Sequence, residues 1–203
     1  NAGITNNSGT STLTCSQASI SLTASGGSSY VWSGGLGNTA NATATASGNY
    51  TVTVTGSNGC SATASLAITQ NTTAPTAGIT NNSGSTVLTC SQNSIGLTAT
   101  GGATYAWSGS LGSNANASVT LPGVYVVTVT AANGCKSNAT ITITQNTTAP
   151  NAGITNNSGS AVLNCTLNTI SLTATGGVSY AWSGGLGNTA NASLSNAAFL
   201  AAD

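Results

Sequence analysis

The chain has 203 residues and almost no charge: Lys136 and Asp203 are its only basic and acidic side chains, and His, Arg, Glu and Met are absent. Catalytic proton transfer and nucleophile activation need such groups, so we expect no enzyme activity and no cofactor. Nucleic-acid binding depends on Lys and Arg, and calcium sites on several carboxylates, so the composition excludes both kinds of partner.

The sequence repeats with a period of 75 residues, because the segment AGITNNSG begins at Ala2, Ala77 and Ala152. A long fixed period indicates one folded unit copied in tandem. The predicted domains are 1–75, 76–150 and 151–203, the last of which stops before its final strands. The recurring columns are Cys15, Cys90 and Cys165, then Trp32, Trp107 and Trp182, and then Cys60 and Cys135.

Within one repeat, turn signals separate short segments in which apolar residues alternate with Thr or Ser, a pattern typical of half-buried strands. The first repeat begins with an extended segment around Ile4, and NTTAP at 71–75 serves as its linker. Seven short strands predict an all-β fold of tandem Ig-like Greek-key β-sandwiches. The strand segments lie around Leu13 and at 20–24, 30–32, 39–45, 50–55 and 60–69.

The aromatic columns are predicted to fill the core of each sandwich, since a small sandwich has few other large residues. We expect Trp32, Trp107 and Trp182 to pack between the sheets; the alternative is a sugar-stacking platform on the surface. Tyr50 and Tyr125 open the strand before last, where sandwich domains often carry a Tyr whose hydroxyl fixes a corner. Both are therefore assigned to the core or the corner.

Several short motifs recur together: Cys15, then ISLTASGG, SYVWS and GNYTVTVT, and then NGC ending at Cys60. The pattern resembles the Ig-like or PKD-like tandem repeats of large secreted surface proteins of Bacteroidota, including gliding-type adhesins. The resemblance covers both full repeats and the part of the third that is present. It implies export to the cell surface by the type IX secretion route, although the C-terminal sorting domain of that route is not in this sequence.

Small domains often need a covalent staple, and regularly spaced cysteines without a transmembrane run indicate an oxidising, extracellular setting. We expect pairs Cys15–Cys60 and Cys90–Cys135, because tandem domains normally fold alone, with Cys165 unpaired within the chain. An alternative stays open. A strict Ig topology would place Cys15 and Cys60 at opposite poles and bring Cys15 near Cys135 across the domain junction.

Sequons for N-glycosylation recur with the repeat, and an uncharged secreted fibre would gain solubility from glycans. The candidate acceptors are Asn6, Asn41, Asn71, Asn81, Asn116 and Asn146.

The third repeat leaves the pattern just before the sequence stops: Ala198 and Leu200 replace the Gly and Tyr of the first two copies. An open sandwich exposes apolar core and unpaired strand edges. Either the sequence is a window of a longer polymer, or a neighbouring subunit donates the missing strands, with the segment around Ile4 as the expected donor.

The sequence thus predicts an extracellular structural segment of a filament or adhesin stalk that self-associates head to tail and does not insert into membranes. The alternative is a glycan- or cell-binding adhesin module that uses the Gly-rich loops at Gly34, Gly109 and Gly184.

Overall fold

The computed structural model describes residues 1–195. These residues form β-strands joined by turns and loops, with no helix among them, which confirms the predicted all-β class. No helix in this part of the chain is long and apolar enough to cross a membrane. The chain divides into two compact units, Asn1–Asn146 and Thr147–Asp203, so the first repeat and all the strands of the second belong to one unit.

The first repeat has seven strands whose apolar side chains alternate with polar ones. In the sixth strand, for example, Tyr50, Val52 and Val54 are buried while Thr51 and Thr53 between them are half-buried. The strands are β1 (Gly3–Asn6), β2 (Thr12–Thr14), β3 (Ile20–Ser25), β4 (Ser29–Trp32), β5 (Asn41–Ala44), β6 (Gly48–Thr55) and β7 (Ser61–Asn71).

These strands form two sheets, one in the order β1-β3-β5 and the other in the order β2-β7-β6-β4. Strand β2 runs parallel to β7, with Thr14 opposite Asn71, whereas the other pairs are antiparallel. The chain therefore enters in one sheet at β1 and crosses to the other at β2. This is the predicted Ig-like Greek-key sandwich.

The second repeat has the same topology, with sheets β8-β10-β12 and β9-β14-β13-β11. Its parallel pair joins β9 to the end of β14. The strands are β8 (Gly78–Asn81), β9 (Val87–Leu88), β10 (Ile95–Thr100), β11 (Thr104–Trp107), β12 (Asn116–Val119), β13 (Gly123–Thr130) and β14 (Lys136–Gln145).

Each of these two repeats has its own hydrophobic core, made by the inward-facing residues of both sheets. Ile20, Leu22 and Val52 have no exposed surface, and their counterparts in the second repeat are at most 1% exposed: Ile95, Leu97 and Val127. Burying one such side chain stabilises the fold by about 1.5–3 kcal/mol. Two separate cores follow from the repeated sequence, because each copy carries a full set of inward-facing residues.

The third repeat has three described strands, β15 (Gly153–Asn156), β16 (Thr169–Thr175) and β17 (Asn191–Ser195), in one sheet of that order. The counterparts of β6 and β7 would begin at position 198, so they lie outside the described residues, as do Ala198 and Leu200. Ile154 in β15 is 68% exposed. It lines an open cavity of about 550 Å³ together with Tyr180 and Trp182 and other residues of this repeat.

Candidate functional site: the junction between the first two repeats

A disulfide bond crosses the junction between the first two repeats. It joins Cys15 to Cys135, with 4.9 Å between the Cα atoms and a sequence separation of 120. The expected pairs Cys15–Cys60 and Cys90–Cys135 are therefore wrong, and the alternative that placed Cys15 near Cys135 is correct. Cys135 is 2% exposed, whereas Cys60, Cys90 and Cys165 are exposed.

Strand geometry explains why Cys15 cannot reach Cys60. Cys15 follows β2, whose last residue Thr14 lies opposite Asn71 at the end of β7. Cys60 immediately precedes β7, which begins at Ser61. An eleven-residue strand spans roughly 33 Å, and bridged Cα atoms lie within about 7 Å of each other. The two cysteines therefore lie at opposite poles of the sandwich, and Cys15 faces the next repeat.

The loop that carries Cys15 is held by local hydrogen bonds. The Thr14 amide donates to the Gln17 carbonyl at 2.9 Å, and the Gln17 amide donates to the Thr14 carbonyl at 3.2 Å and to its Oγ1 at 3.0 Å. These bonds fix a tight turn in which Cys15 and Ser16 project from the end of the first repeat.

On the other side of the junction, Asn133 connects the turn before β14 with the inter-repeat linker. Its Oδ1 accepts a hydrogen bond from the Cys135 amide at 3.0 Å. Its Nδ2 lies 3.3 Å from the Asn71 carbonyl, 3.1 Å from Asn71 Oδ1 and 2.9 Å from the Thr73 carbonyl. One side chain thus positions the bridging cysteine and holds the linker against the second repeat.

Gly134 allows the two repeats to approach closely. Its φ is +79°, a conformation that favours glycine. A Cβ added there would lie 2.7 Å from Ser16 Cβ and 2.9 Å from the Ser16 amide nitrogen. The Ser16 hydroxyl lies 3.5 Å from the Asn133 carbonyl, to which it donates. A side chain at position 134 would force the Cys15 loop away from its docking surface.

The tryptophans occupy equivalent positions in all three repeats. Trp32 and Trp107 are 5% and 7% exposed, whereas Trp182 is only partly buried, on the open face of the third repeat. Each indole Nε1 donates to a main-chain carbonyl: Trp32 to Thr39 at 2.9 Å, Trp107 to Asn114 at 3.0 Å and Trp182 to Thr189 at 2.8 Å. These bonds satisfy the polar atom of an otherwise apolar side chain.

The tyrosines pack at a corner and fix the adjacent loops. The Tyr50 hydroxyl donates to the Ala46 carbonyl at 3.0 Å, and that of Tyr125 to the Leu121 carbonyl at 2.9 Å. Tyr50 is 8% exposed, and Tyr125 is partly buried. A Cβ added at Gly34 would lie 3.0 Å from the Tyr50 ring, so that loop glycine makes room for the aromatic ring.

The candidate glycosylation sites differ in what their amide groups already bind. The Nδ2 atoms of Asn6 and Asn81 donate to the Thr10 and Ser85 carbonyls at 2.9 Å, within partly buried turns. Asn71 accepts from Asn133 at the junction. The exposed residues Asn41 and Asn116 accept hydrogen bonds from neighbouring threonines, and Asn146 is also exposed.

The chemistry that the junction shows is a covalent connection between the two repeats. Within residues 1–195, no three His, Cys, Asp or Glu side chains lie close enough together to hold a metal ion. Lys136, which follows Cys135, is exposed.

Sequence reasoning did not identify Asn133 and Gly134. The available signal was their position in the NGC turn directly before the bridging cysteine.

No family model matches the chain, and no curated protein matches it. Solved structures that do match include one of a 1.5-MDa bacterial ice-binding adhesin, studied for retention on the host cell surface. That match has 17% identity and a TM-score of 0.44, and covers 87% of this chain and 75% of that chain. Murine CEACAM1b matches with 12% identity and a TM-score of 0.32, covering 71% of this chain and all of that chain. Fibronectin(III)-like modules of Clostridium thermocellum CbhA match with 13% identity and a TM-score of 0.32. That match covers 70% of this chain and 95% of that chain.

Proposed function

We propose that this chain is a structural repeat segment of an extracellular filament or adhesin stalk, with a mechanical and non-catalytic role. The observation that carries the proposal is the Cys15–Cys135 disulfide, which joins one folded repeat to the next. A bond within a repeat would stabilise that repeat alone. A bond between repeats restricts how they move relative to each other, which is the property that a stalk requires.

The first two repeats are connected in two places. The linker passes from Asn71 at the end of β7 to Gly78 at the start of β8, and the disulfide forms the second connection. Asn133 adds hydrogen bonds to the linker itself. Domains joined by a linker alone move freely unless their interface is large and apolar. A second covalent connection removes most of that freedom without requiring a large interface.

The disulfide also supports an extracellular or cell-surface location, because such bonds persist in oxidising compartments. The sequence resemblance to exported surface repeats points to the same place, and we include the Bacteroidota assignment and the type IX route in the proposal. A surface rich in Thr, Ser and Asn, with formal net charge of zero, suits a long fibre that makes few specific contacts.

NMR relaxation of the full chain tests the stiffness of the junction. With the disulfide intact, amides in β3 and β10 should report one common rotational diffusion tensor for the two repeats. After reduction, the two repeats should tumble separately, with shorter correlation times. A variant with Cys60→Ser and Cys165→Ser is the matched control and should respond to reductant as the parent does. Unchanged relaxation after reduction would contradict the proposed role.

The alternative function, a glycan- or cell-binding module, would use the loops at Gly34, Gly109 and Gly184. In the first two repeats these glycines pack against a tyrosine ring: an added Cβ would lie 3.0 Å from Tyr50 at Gly34 and 3.3 Å from Tyr125 at Gly109. That contact gives the loops a structural explanation. A glycan array probed with the full chain separates the two functions, because saturable binding to one glycan class would favour the binding module.

A further inference from the structure

The turn that ends at Cys60 has the same hydrogen bonds as the turn that ends at Cys135. The Cys60 amide donates to Asn58 Oδ1 at 3.2 Å, and the Gly56 amide donates to the Cys60 carbonyl at 2.8 Å. In the second repeat, the Cys135 amide donates to Asn133 Oδ1 at 3.0 Å and the Ala131 amide to the Cys135 carbonyl at 2.9 Å. The first repeat therefore presents a second copy of a cysteine site whose partner the same molecule already shows.

The two turns differ in whether a cysteine-bearing loop covers them. Cys135 is buried beneath the Cys15 loop, whereas Cys60 is exposed. A Cβ added at Gly134 would collide with Ser16, whereas one added at Gly59 would meet no atom within 4 Å. A cavity of about 210 Å³ lies beside Cys60, lined in part by Asn58 and Val54. Within residues 1–146, the docking surface at Cys60 is formed and no other segment covers it.

The third repeat presents the complementary part. The Asn164 amide donates to the Leu167 carbonyl at 2.9 Å, as the Thr14 amide does to the Gln17 carbonyl, and the Leu167 amide donates to Asn164 Oδ1 at 2.8 Å. Cys165 lies within this turn and is an exposed thiol. The loop that reaches Cys135 from the first repeat thus recurs around Cys165, with Thr166 in the position of Ser16.

We propose that Cys60 and Cys165 are the two halves of an intermolecular junction, in which the Cys165 loop of one copy docks on the Gly59–Cys60 turn of a second copy. This inference rests on the proposed function and names the partner as a second copy of the chain. The order matches the internal junction, where the earlier repeat supplies the loop and the later repeat the turn. Copies would therefore add head to tail, in the direction of the chain.

The bond forms by thiol–disulfide exchange with a low-molecular-weight disulfide such as glutathione disulfide. The Cys165 thiolate attacks the oxidant, forms a mixed disulfide and releases one glutathione thiolate. The Cys60 thiolate then attacks the Cys165 sulfur and releases the second glutathione. Two protein thiols lose two electrons and two protons, and one glutathione disulfide becomes two molecules of glutathione.

Oxidation of the full chain with glutathione disulfide tests the proposal. Non-reducing gels should show a ladder of multimers that collapses on reduction, and mass mapping should find a Cys60 peptide joined to a Cys165 peptide. Cys60→Ser and Cys165→Ser should each abolish the ladder when tested alone. Their mixture should give dimers only, because each variant then supplies one half of a single junction. Multimers formed by either variant alone, or Cys60 found joined only to glutathione or to Cys90, would overturn the proposal.

Docking is distinguished from random thiol collision by substitutions of Thr166, which follows Cys165 in the sequence and occupies the position of Ser16. With the chain at about 10 μM, docked thiols react at an effective concentration in the millimolar range, so Thr166→Trp should slow dimer formation by tenfold or more. Thr166→Ser, which restores the residue of the first repeat, should not slow it. Equal rates for both variants would overturn docking. Mass mapping of the oxidised chain also detects the Cys15–Cys135 peptide. If that peptide is absent, the proposed function is wrong. If it is present but no Cys60–Cys165 peptide is found, only this inference is wrong.

Discussion

Removing the junction disulfide should destabilise both of the first two repeats, although each keeps its own core. If one repeat unfolds while the other stays folded, the bond closes a loop of roughly 60 residues, which stabilises that repeat by about 4 kcal/mol on the chain-entropy model. If both unfold, the loop contains about 120 residues and the stabilisation is about 5 kcal/mol in total. Once one repeat has unfolded, the disulfide therefore adds almost nothing to the free energy of unfolding the other. In this way the bond couples the two repeats.

Urea titration with single-tryptophan variants measures this effect. Variants that retain only Trp32 or only Trp107 report the first and second repeat separately, and each is compared with and without a phosphine reductant. For domains of this size m in urea is about 1–2 kcal/mol per M. Because the bond contributes about 5 kcal/mol in total when the two repeats unfold together, both midpoints should fall by about 1–2.5 M on reduction. A parallel titration of a Cys15→Ser, Cys135→Ser variant should give the same low midpoints without reductant.

The control replaces two of the exposed thiols, with Cys60→Ser and Cys165→Ser in one chain. It should leave the free energy of unfolding of both repeats within about 0.5 kcal/mol of the parent. Two results would refute the reasoning. One is a midpoint that does not respond to reductant. The other is a response confined to the Trp32 probe after Cys15→Ser, because a bond within the first repeat would destabilise that repeat alone.

Three further changes test the junction and the cores. Gly134→Ala should prevent complete formation of the Cys15–Cys135 disulfide, measured as the bridged peptide in a non-reduced digest. Gly59→Ala introduces similar backbone strain, since the φ of Gly59 is +82°, but should leave that disulfide intact. Equal yields would show that contact with Ser16 is unimportant. Tyr50→Phe should lower the stability of the first repeat by about 1 kcal/mol in urea titration, because the hydrogen bond to the Ala46 carbonyl is lost. Leu22→Ala should cost about 2–5 kcal/mol and shift the Trp32 transition, since Leu22 is fully buried; a shift below 1 kcal/mol would argue against this core.

The sequence was most informative where the repeat and the strand period agree. Alternation in β3 and β6, glycine turns and the tryptophan column together predicted the strands, the sandwich and its Ig-like topology. The position of Tyr50 before alternating valines predicted its role at the corner, and the bond from its hydroxyl to the Ala46 carbonyl is of that kind. These features are local, so one repeat contains the information needed to predict them.

The cysteine pairing was wrong because it depends on a feature that local patterns specify poorly. Strand β2 has only three residues, and its parallel pairing with β7 decides which pole Cys15 faces. Tandem domains normally fold alone, which favours a disulfide within each repeat. The eleven-residue length of β7, however, places Cys15 and Cys60 at opposite poles of the sandwich. The NGC turn directly before Cys135 is a sequence signal for Asn133, but asparagine is abundant in this sequence. Only the folded junction brings its amide to Asn71 and Thr73.

The disulfide also changes how far the molecule can be stretched. Force applied along the backbone passes from Cys15 directly to Cys135 through the sulfur atoms, so the residues between them carry no tension. At about 3.4 Å per extended residue, the 120-residue separation withholds roughly 400 Å of chain from extension. The same segment is therefore nearly inextensible when oxidised and highly extensible when reduced, so the redox state of one bond sets how far this part of the chain extends under load.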